Sequence, residues 1–108
     1  AEDFQYIVSS LPLPAVLFFM EPKDKIYELR KKIDECDDKM LDLLVKRFSI
    51  AKEIGEIKAS SGFNIEDQNR EKNIIDRLTN KFEGKLYRNS IAAIFGPVYQ
   101  ISKKLQKK

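Results

Sequence analysis

The chain of 108 residues contains no histidine and only one cysteine, Cys36. Histidine is the usual general base and the commonest metal ligand, so its absence removes both roles. A single cysteine cannot form a disulfide within the chain, and the residue types present cannot assemble a zinc site or a Ser-His-Asp triad. The common catalytic centres built on histidine or zinc are therefore excluded.

Glycine and proline are scarce, with four of each, and no Gly-rich phosphate loop is present. The most apolar stretch, residues 1–21, is too short to span a bilayer, begins with Ala-Glu-Asp and contains Pro12 and Pro14, which argues against a signal peptide. We interpret residues 1–21 as a leader or N-terminal arm of unknown role, with alternation at residues 4–8 typical of a short strand. Residues 22–108 are predicted to form one functional domain.

Charge of one sign is not in large excess. Lysine and arginine number 20 against 17 aspartates and glutamates, which gives a net charge of +3. This mixed surface does not require a nucleic-acid partner. A chain of this length has room for a modest core that a partner subunit would help to stabilise, and the cytoplasm is the expected compartment.

A single helical pattern runs from Pro22 to about Lys58, with no glycine until Gly55. Such a helix of roughly 35 residues would span about 50 Å, which is longer than a compact domain of this size is wide, so a second copy of the chain is the expected partner. Cys36 lies on the apolar stripe and is predicted to be a small core residue. The positions of the stripe are Ile26, Leu29, Ile33, Cys36, Met40, Leu44, Ala51 and Ile54.

Two cations interrupt this apolar stripe. Arg47 and Lys58 are eleven residues apart, close to three whole turns, so they project from the same face. An unpaired cation on a buried face is costly, which predicts an anionic ligand. Arg30 is rotated by about 100° from Arg47 and cannot easily serve the same pocket, but a second chain could supply its own Arg30.

Two further helices are predicted. Asn64 or Asp67 caps the second, which runs to about Lys81. Asp67, Arg70 and Glu71 fall on its apolar face, where a capping network with an Asp67–Arg70 pair is an alternative to a ligand role for Asp67. Ser60, Ser61 and Gly62 are predicted to end the first helix.

The third helix carries an apolar stripe that Gly96 and Pro97 interrupt, which predicts a kink or a loosened turn near Ala93. Near its end, Ser102 and Gln106 flank the stripe four residues apart and present two neutral hydrogen-bonding groups side by side. Taken alone, they are typical of ordinary residues at the edge of a core.

Four features follow one another along the chain: LRKKID, LLVKRFSIAKEIGEIK, EDQNREK, and then Ser102 with Gln106. Their order resembles that of the all-helical class of chorismate mutases, over residues 24–106. The resemblance implies an all-α fold, a three-helix subunit with one long N-terminal helix, and an intertwined homodimer. It implies an isomerase that rearranges chorismate to prephenate in aromatic amino acid biosynthesis and needs no cofactor or metal. Neither a nucleic acid nor a membrane is an implied partner.

The resemblance also assigns the anion-binding residues. Arg30 would be donated across the subunit interface, Arg47 would bind a substrate carboxylate, Ser102 would contact a carboxylate, and Arg70 would support the pocket. Arg47 is also counted among the catalytic residues.

The remaining implied roles concern the reacting atoms. Lys58 would bind a carboxylate and the ether oxygen, and Gln106 would be the second donor to that oxygen. Asp67 and Glu71 would hold the ring hydroxyl, and Glu71 is counted as catalytic with Lys58 and Gln106.

The chemistry agrees with the missing histidine, because this rearrangement breaks a C–O bond and makes a C–C bond within one molecule without transferring a proton. Positioning and charge stabilisation are sufficient. Two alternatives remain open at this point. One is an isochorismate pyruvate lyase on the same scaffold, and the other is a non-catalytic helical dimer with a regulatory or nucleic-acid-binding role.

Overall fold

The computed structural model describes residues 12–107, with the side chains of residues 13, 14 and 16 left aside. The described residues contain helices and no strand, which confirms the all-α prediction. The helices are α1 (Leu13–Phe18), α2 (Pro22–Ser61), α3 (Arg70–Lys81) and α4 (Arg88–Gln106). The short strand predicted at residues 4–8, and most of the predicted arm, lie outside the described residues.

The chain divides into two compact units, one ending at Leu41 and one beginning at Asp42. In the first unit, α2 begins at Pro22 with Asp24 in its first turn, where a carboxylate stabilises the positive end of a helix. The apolar stripe of this part of α2 is open to solvent, with Ile33 58% exposed. Cys36 is exposed as well, so its prediction as a core residue is wrong for the single chain, because no described element covers that face.

The core lies in the second unit, between α3 and α4. Ile74, Leu78 and Ile91 are buried, and Phe82, Phe95 and Tyr99 pack against them. Ile74 and Leu78 are four residues apart and therefore share one face of α3. Burying each such side chain contributes about 1.5–3 kcal/mol, so this contact fixes α4 against α3.

The α2–α3 connection differs from the predicted one. Gly62 has a φ of 73° and ends α2 as predicted, since glycine adopts that conformation without strain. However, α3 begins only at Arg70, with Asn69 as the N-cap residue. Neither Asn64 nor Asp67 caps it, because their side chains accept backbone N–H groups inside the connection, from Glu66 and Asn69 respectively, both at 3.2 Å.

Helix α4 continues through Gly96 and Pro97. The loosened turn predicted near Ala93 therefore does not occur, and the alternative of a kink stays a prediction. Proline removes one N–H donor from the helix. Ile91 and Val98, on either side of the interruption, are both buried. Packing therefore holds both halves of α4 in one helix, and Ser102 and Gln106 keep their helical register.

Candidate active site

Arg47 lies half-buried on α2 and its side chain reaches α4. Its Nη1 donates a hydrogen bond to Ser102 Oγ at 2.5 Å, and that hydroxyl donates to Val98 O at 2.9 Å. Burial lowers the pKa of the Arg47 guanidinium, and the nearby positive charge of Arg70 lowers this pKa further. The second unit therefore brings two guanidinium groups close together, and neither forms an ion pair with a described carboxylate.

Lys58 lies on α2 about three turns after Arg47. It is half-buried, and two acceptors hold its ammonium group. Its Nζ donates to Gln106 Oε1 at 3.0 Å and to Ile65 O at 3.2 Å. An ammonium group has three protons to donate, so one remains for a ligand. Because the Gln106 oxygen accepts from Lys58, the amide nitrogen of Gln106 is left as a donor.

The backbones of α2 and α4 approach closely at Gly55. A Cβ atom added there would lie 2.5 Å from Gln106 Cα and 2.7 Å from Gln106 O, distances that real Cβ atoms do not tolerate. The missing side chain of Gly55 therefore allows the approach. One turn beyond Gly55, this approach brings the Lys58 ammonium to the Gln106 amide.

A cavity of about 150 Å³ lies between these helices. Its apolar wall comes from α2 and α3, and its polar groups include two guanidiniums, a hydroxyl and an amide. The lining residues are Arg47, Ile50, Ala51, Ile54, Arg70, Ile74, Tyr99, Ser102 and Gln106. A small anion with an apolar body suits such a lining.

Two predicted acidic ligands lie at the edge of this region. Glu71, on α3, is half-buried, and its Oε1 is 3.7 Å from the position that a Cβ of Gly96 would take. Asp67 is exposed, and its side chain accepts the Asn69 N–H. The alternative Asp67–Arg70 ion pair is absent from the described contacts. Instead, the backbone N–H of Arg70 donates to Asp67 O at 3.1 Å.

Four predicted site residues, Arg47, Arg70, Ser102 and Gln106, thus line one cavity, and Lys58 is bound to Gln106. Arg30 belongs to the first unit, where it is exposed, and it forms no ion pair with a described residue. Its donation across subunits stays a prediction, as do the individual substrate contacts of the other residues.

Sequence reasoning missed Gly55 and Tyr99. A signal existed for Gly55, because glycine inside a helix costs about 1 kcal/mol relative to alanine and its presence on a packed stripe indicates close backbone contact. Tyr99 gave no such signal, since a tyrosine beside an apolar stripe is an ordinary core residue. Only the fold shows that it lines the cavity.

No three acidic or cysteine side chains among the described residues are grouped so as to hold a metal ion. Within residues 12–107, no helix combines the length and the apolar character needed to cross a membrane. The cytoplasmic location expected from the sequence stays a prediction.

Several curated relatives are similar to this chain, among them the following three. A chorismate mutase of Methanocaldococcus jannaschii is 51% identical over 55 residues, which cover 51% of this chain and 56% of the relative. Bifunctional chorismate mutase/prephenate dehydratases of Aquifex aeolicus and Escherichia coli K12 are 40% and 36% identical, over 51% and 55% of this chain but 15% of each relative. The matched segment is thus about half of the first relative and a small part of the bifunctional ones.

A family match extends further along the chain than these relatives do. The family described as chorismate mutase type II matches residues 29–107, a range that includes the cavity and the residues whose hydrogen bonds shape it. With most of its length matched in this way, the chain belongs to the chorismate mutase type II family.

Proposed function

We propose that this chain is a chorismate mutase, which converts chorismate to prephenate by an intramolecular rearrangement. The observation that carries the proposal is the arrangement of Lys58. Its ammonium is fixed by Gln106 Oε1 and Ile65 O, beside a cavity that two arginines line. A dianion entering this cavity would meet cations that no described carboxylate neutralises.

Binding begins with the two carboxylates of chorismate. Planar guanidinium groups form bidentate hydrogen bonds with carboxylates, and Arg47 is already oriented by Ser102. Ser102 is buried, so it can support the guanidinium without competition from bulk water. The apolar wall would hold the enolpyruvyl arm over the ring, a geometry close to that of the reaction.

The chemical step stretches the ether C–O bond, and negative charge builds on that oxygen. Lys58 retains one donor and Gln106 retains its amide nitrogen, so both can stabilise this charge. Hydrogen bonds that strengthen only in the transition state accelerate the reaction. Glu71 and Asp67 would hold the ring hydroxyl, which donates its one hydrogen bond to either carboxylate and so orients the ring.

The same proposal includes a homodimer in which Arg30 of one chain completes the site of the other. The first unit supports it, because apolar side chains on α2 are strongly exposed there. Ile26, Leu29 and Met40 are 49%, 46% and 54% exposed. Regularly spaced apolar residues on one helical face are typical of a face that another helix covers. Residues 22–108 would form the enzyme domain, and residues 1–21 carry no assigned role.

The test is the loss of chorismate absorbance on adding the purified chain, with prephenate identified as the product. Arg47→Ala should reduce kcat/KM by at least about 100-fold, since it removes a charged hydrogen bond to a substrate carboxylate. The matched control is Lys46→Ala, which removes an exposed cation from the neighbouring position of α2 and should leave kcat/KM within about twofold.

Two outcomes would contradict the proposal. Unchanged chorismate in the presence of the folded chain would exclude the mutase activity. Salicylate and pyruvate formed from isochorismate, without prephenate from chorismate, would instead support the lyase on the same scaffold.

A further inference from the structure

The connection between α2 and α3, residues 62–69, is held to both neighbouring helices. From α2, Lys58 Nζ donates to Ile65 O at 3.2 Å. From α4, the Tyr99 hydroxyl donates to Asp67 O at 3.0 Å. Lys103 forms an ion pair with Glu66 at 3.2 Å. The connection therefore lies against α4 at two consecutive residues.

These contacts differ in kind. The Glu66 carboxylate is 45% exposed, and ion pairs of that kind contribute little in water. The hydrogen bond from the Tyr99 hydroxyl to a backbone carbonyl is also exposed, but the ring that carries the hydroxyl is half-buried in the cavity wall. Burial raises the pKa of Tyr99, and the carboxylates of Asp67, Glu66 and Glu71 add to this shift while Lys103 opposes it. The hydroxyl thus remains a protonated donor across the neutral range.

The carbonyl that Tyr99 binds is two residues from the carbonyl that Lys58 binds. If Asp67 O were released, Ile65 O would be free to move with it, because a connecting segment is stiff only where it is anchored. Lys58 would then keep Gln106 as its one fixed acceptor among these contacts. An ammonium on a four-carbon stem loses its direction easily.

We propose that Tyr99 is a positioning residue for the rearrangement, whose hydroxyl fixes residues 62–69 so that the Ile65 carbonyl keeps the Lys58 ammonium directed at the substrate ether oxygen. The inference rests on the proposed mutase function. Tyr99 itself need not touch the reacting atoms, because its ring only lines the cavity wall and its hydroxyl is occupied by Asp67 O.

The test is Tyr99→Phe, which retains the ring in the cavity wall and removes only the hydroxyl. The matched control is Tyr87→Phe, since Tyr87 is 86% exposed and lies outside the cavity. Two readouts are measured on the full chain. The rate of amide exchange at Glu66 and Asn69 reports how firmly the connection is held, because the side chains of Asn64 and Asp67 accept those N–H groups. Steady-state kinetics with chorismate report the position of Lys58.

In Tyr99→Phe, we expect amide exchange at Glu66 and Asn69 to accelerate by about threefold to tenfold, the range that one net hydrogen bond supplies. The value of kcat should fall by a similar factor and KM should stay within about twofold, because Lys58 acts mainly in the transition state. Exchange at Ile91, in the core, should not change. Tyr87→Phe should match the wild type in every measurement.

The two proposals fail in different ways. A wild-type chain without chorismate turnover removes the mutase function and the positioning role with it. An active wild type whose Tyr99→Phe variant matches Tyr87→Phe in kcat overturns the positioning role alone. Faster exchange with unchanged kcat also overturns it, since the connection would then be loosened without consequence for Lys58. A raised KM at unchanged kcat would indicate a ground-state binding role instead, and would likewise overturn the inference.

Discussion

Arg47, Lys58 and Arg70 place three positive charges on the second unit, and none of them forms an ion pair with a described residue. Arg47 and Arg70 are close enough to lower the pKa of Arg47 by repulsion, after the larger effect of burial. Keeping like charges together costs stability in the free protein. A dianionic ligand would relieve that repulsion. Binding of such a ligand should therefore raise the free energy of unfolding.

Lys58→Ala is the sharpest test at this scale. It removes both the charge and the donor assigned to the ether oxygen, so transition-state stabilisation should fall by about 3 kcal/mol or more, on the order of 100-fold in kcat. The measurement is kcat with saturating chorismate. Lys52→Ala, an exposed cation on the same helix, is the control, and a Lys58→Ala enzyme with normal turnover would contradict the assigned role.

Gly55→Ala tests the close approach of α2 and α4. Glycine to alanine inside a helix normally stabilises by about 0.5–1 kcal/mol. At Gly55 the added methyl would meet the Gln106 backbone, so overpacking should instead destabilise by about 1–3 kcal/mol. Urea unfolding measures the difference.

The control for this substitution is Gly96→Ala on α4. There an added Cβ meets only Glu71 Oε1, at the ordinary contact distance of 3.7 Å. Gly96→Ala should therefore leave the free energy of unfolding unchanged or raise it. A Gly55→Ala variant as stable as Gly96→Ala would show that the helices can separate at no cost.

Single residues also show what the sequence could predict. Arg47 and Lys58 were identifiable because a cation on an apolar helical face is unusual whatever the fold. Tyr99 was not, because its importance comes from Asp67, which is distant in sequence. Gly55 gave a signal for a close backbone contact, but its partner Gln106 is known only from the fold. Helical periodicity describes one face of one element, and contacts between elements require the fold.

At the scale of elements, Asp76 joins α3 to the start of α4. Its Oδ1 lies 2.6 Å from Arg88 Nη2 and its Oδ2 lies 2.8 Å from Lys72 Nζ. The hydrogen bond from Lys72 lowers the pKa of the Asp76 carboxyl most, and the hydrogen bond from Arg88 lowers it further. A partly exposed ion pair thus adds a modest contact between α3 and the first turn of α4, beside the apolar core.

This lowered pKa predicts a pH dependence of stability. A carboxyl whose pKa is lower in the folded state stabilises the fold above its unfolded pKa of about 3.9 and loses that effect as pH falls through the folded pKa. Asp76→Asn should therefore lower Tm at pH 7, and the gap to wild type should shrink below about pH 4. Thermal unfolding, followed by circular dichroism at each pH, measures the difference in Tm between the variant and the wild type. A gap that stays constant down to pH 2 would contradict the assignment.

Element boundaries were harder to predict than the elements. Gly62 marked the end of α2 correctly because a positive φ favours glycine. The start of α3 was placed too early, since Asn64 and Asp67 are good caps in isolation but form local turns here. The loosened turn expected near Ala93 did not occur, because packing of Ile91 and Val98 outweighs the hydrogen bond lost at Pro97.

At the scale of the whole molecule, the proposed exchange of Arg30 between subunits can be tested by complementation. Arg30→Ala and Arg47→Ala should each be nearly inactive alone. Random mixing after unfolding and refolding together should restore about one quarter of wild-type activity, since half of the dimers are mixed and each holds one intact site. Mixed dimers that form but stay inactive would exclude the cross-subunit role of Arg30.

Among the described residues, only five apolar side chains are buried, namely Ala51, Ile74, Leu78, Ile91 and Val98. A core this small stabilises a lone chain weakly. In the proposed dimer, dilution should therefore unfold the subunits as well as separate them. We expect Tm to rise with protein concentration. Below a threshold protein concentration, we expect helical content and specific activity to fall together in a single transition.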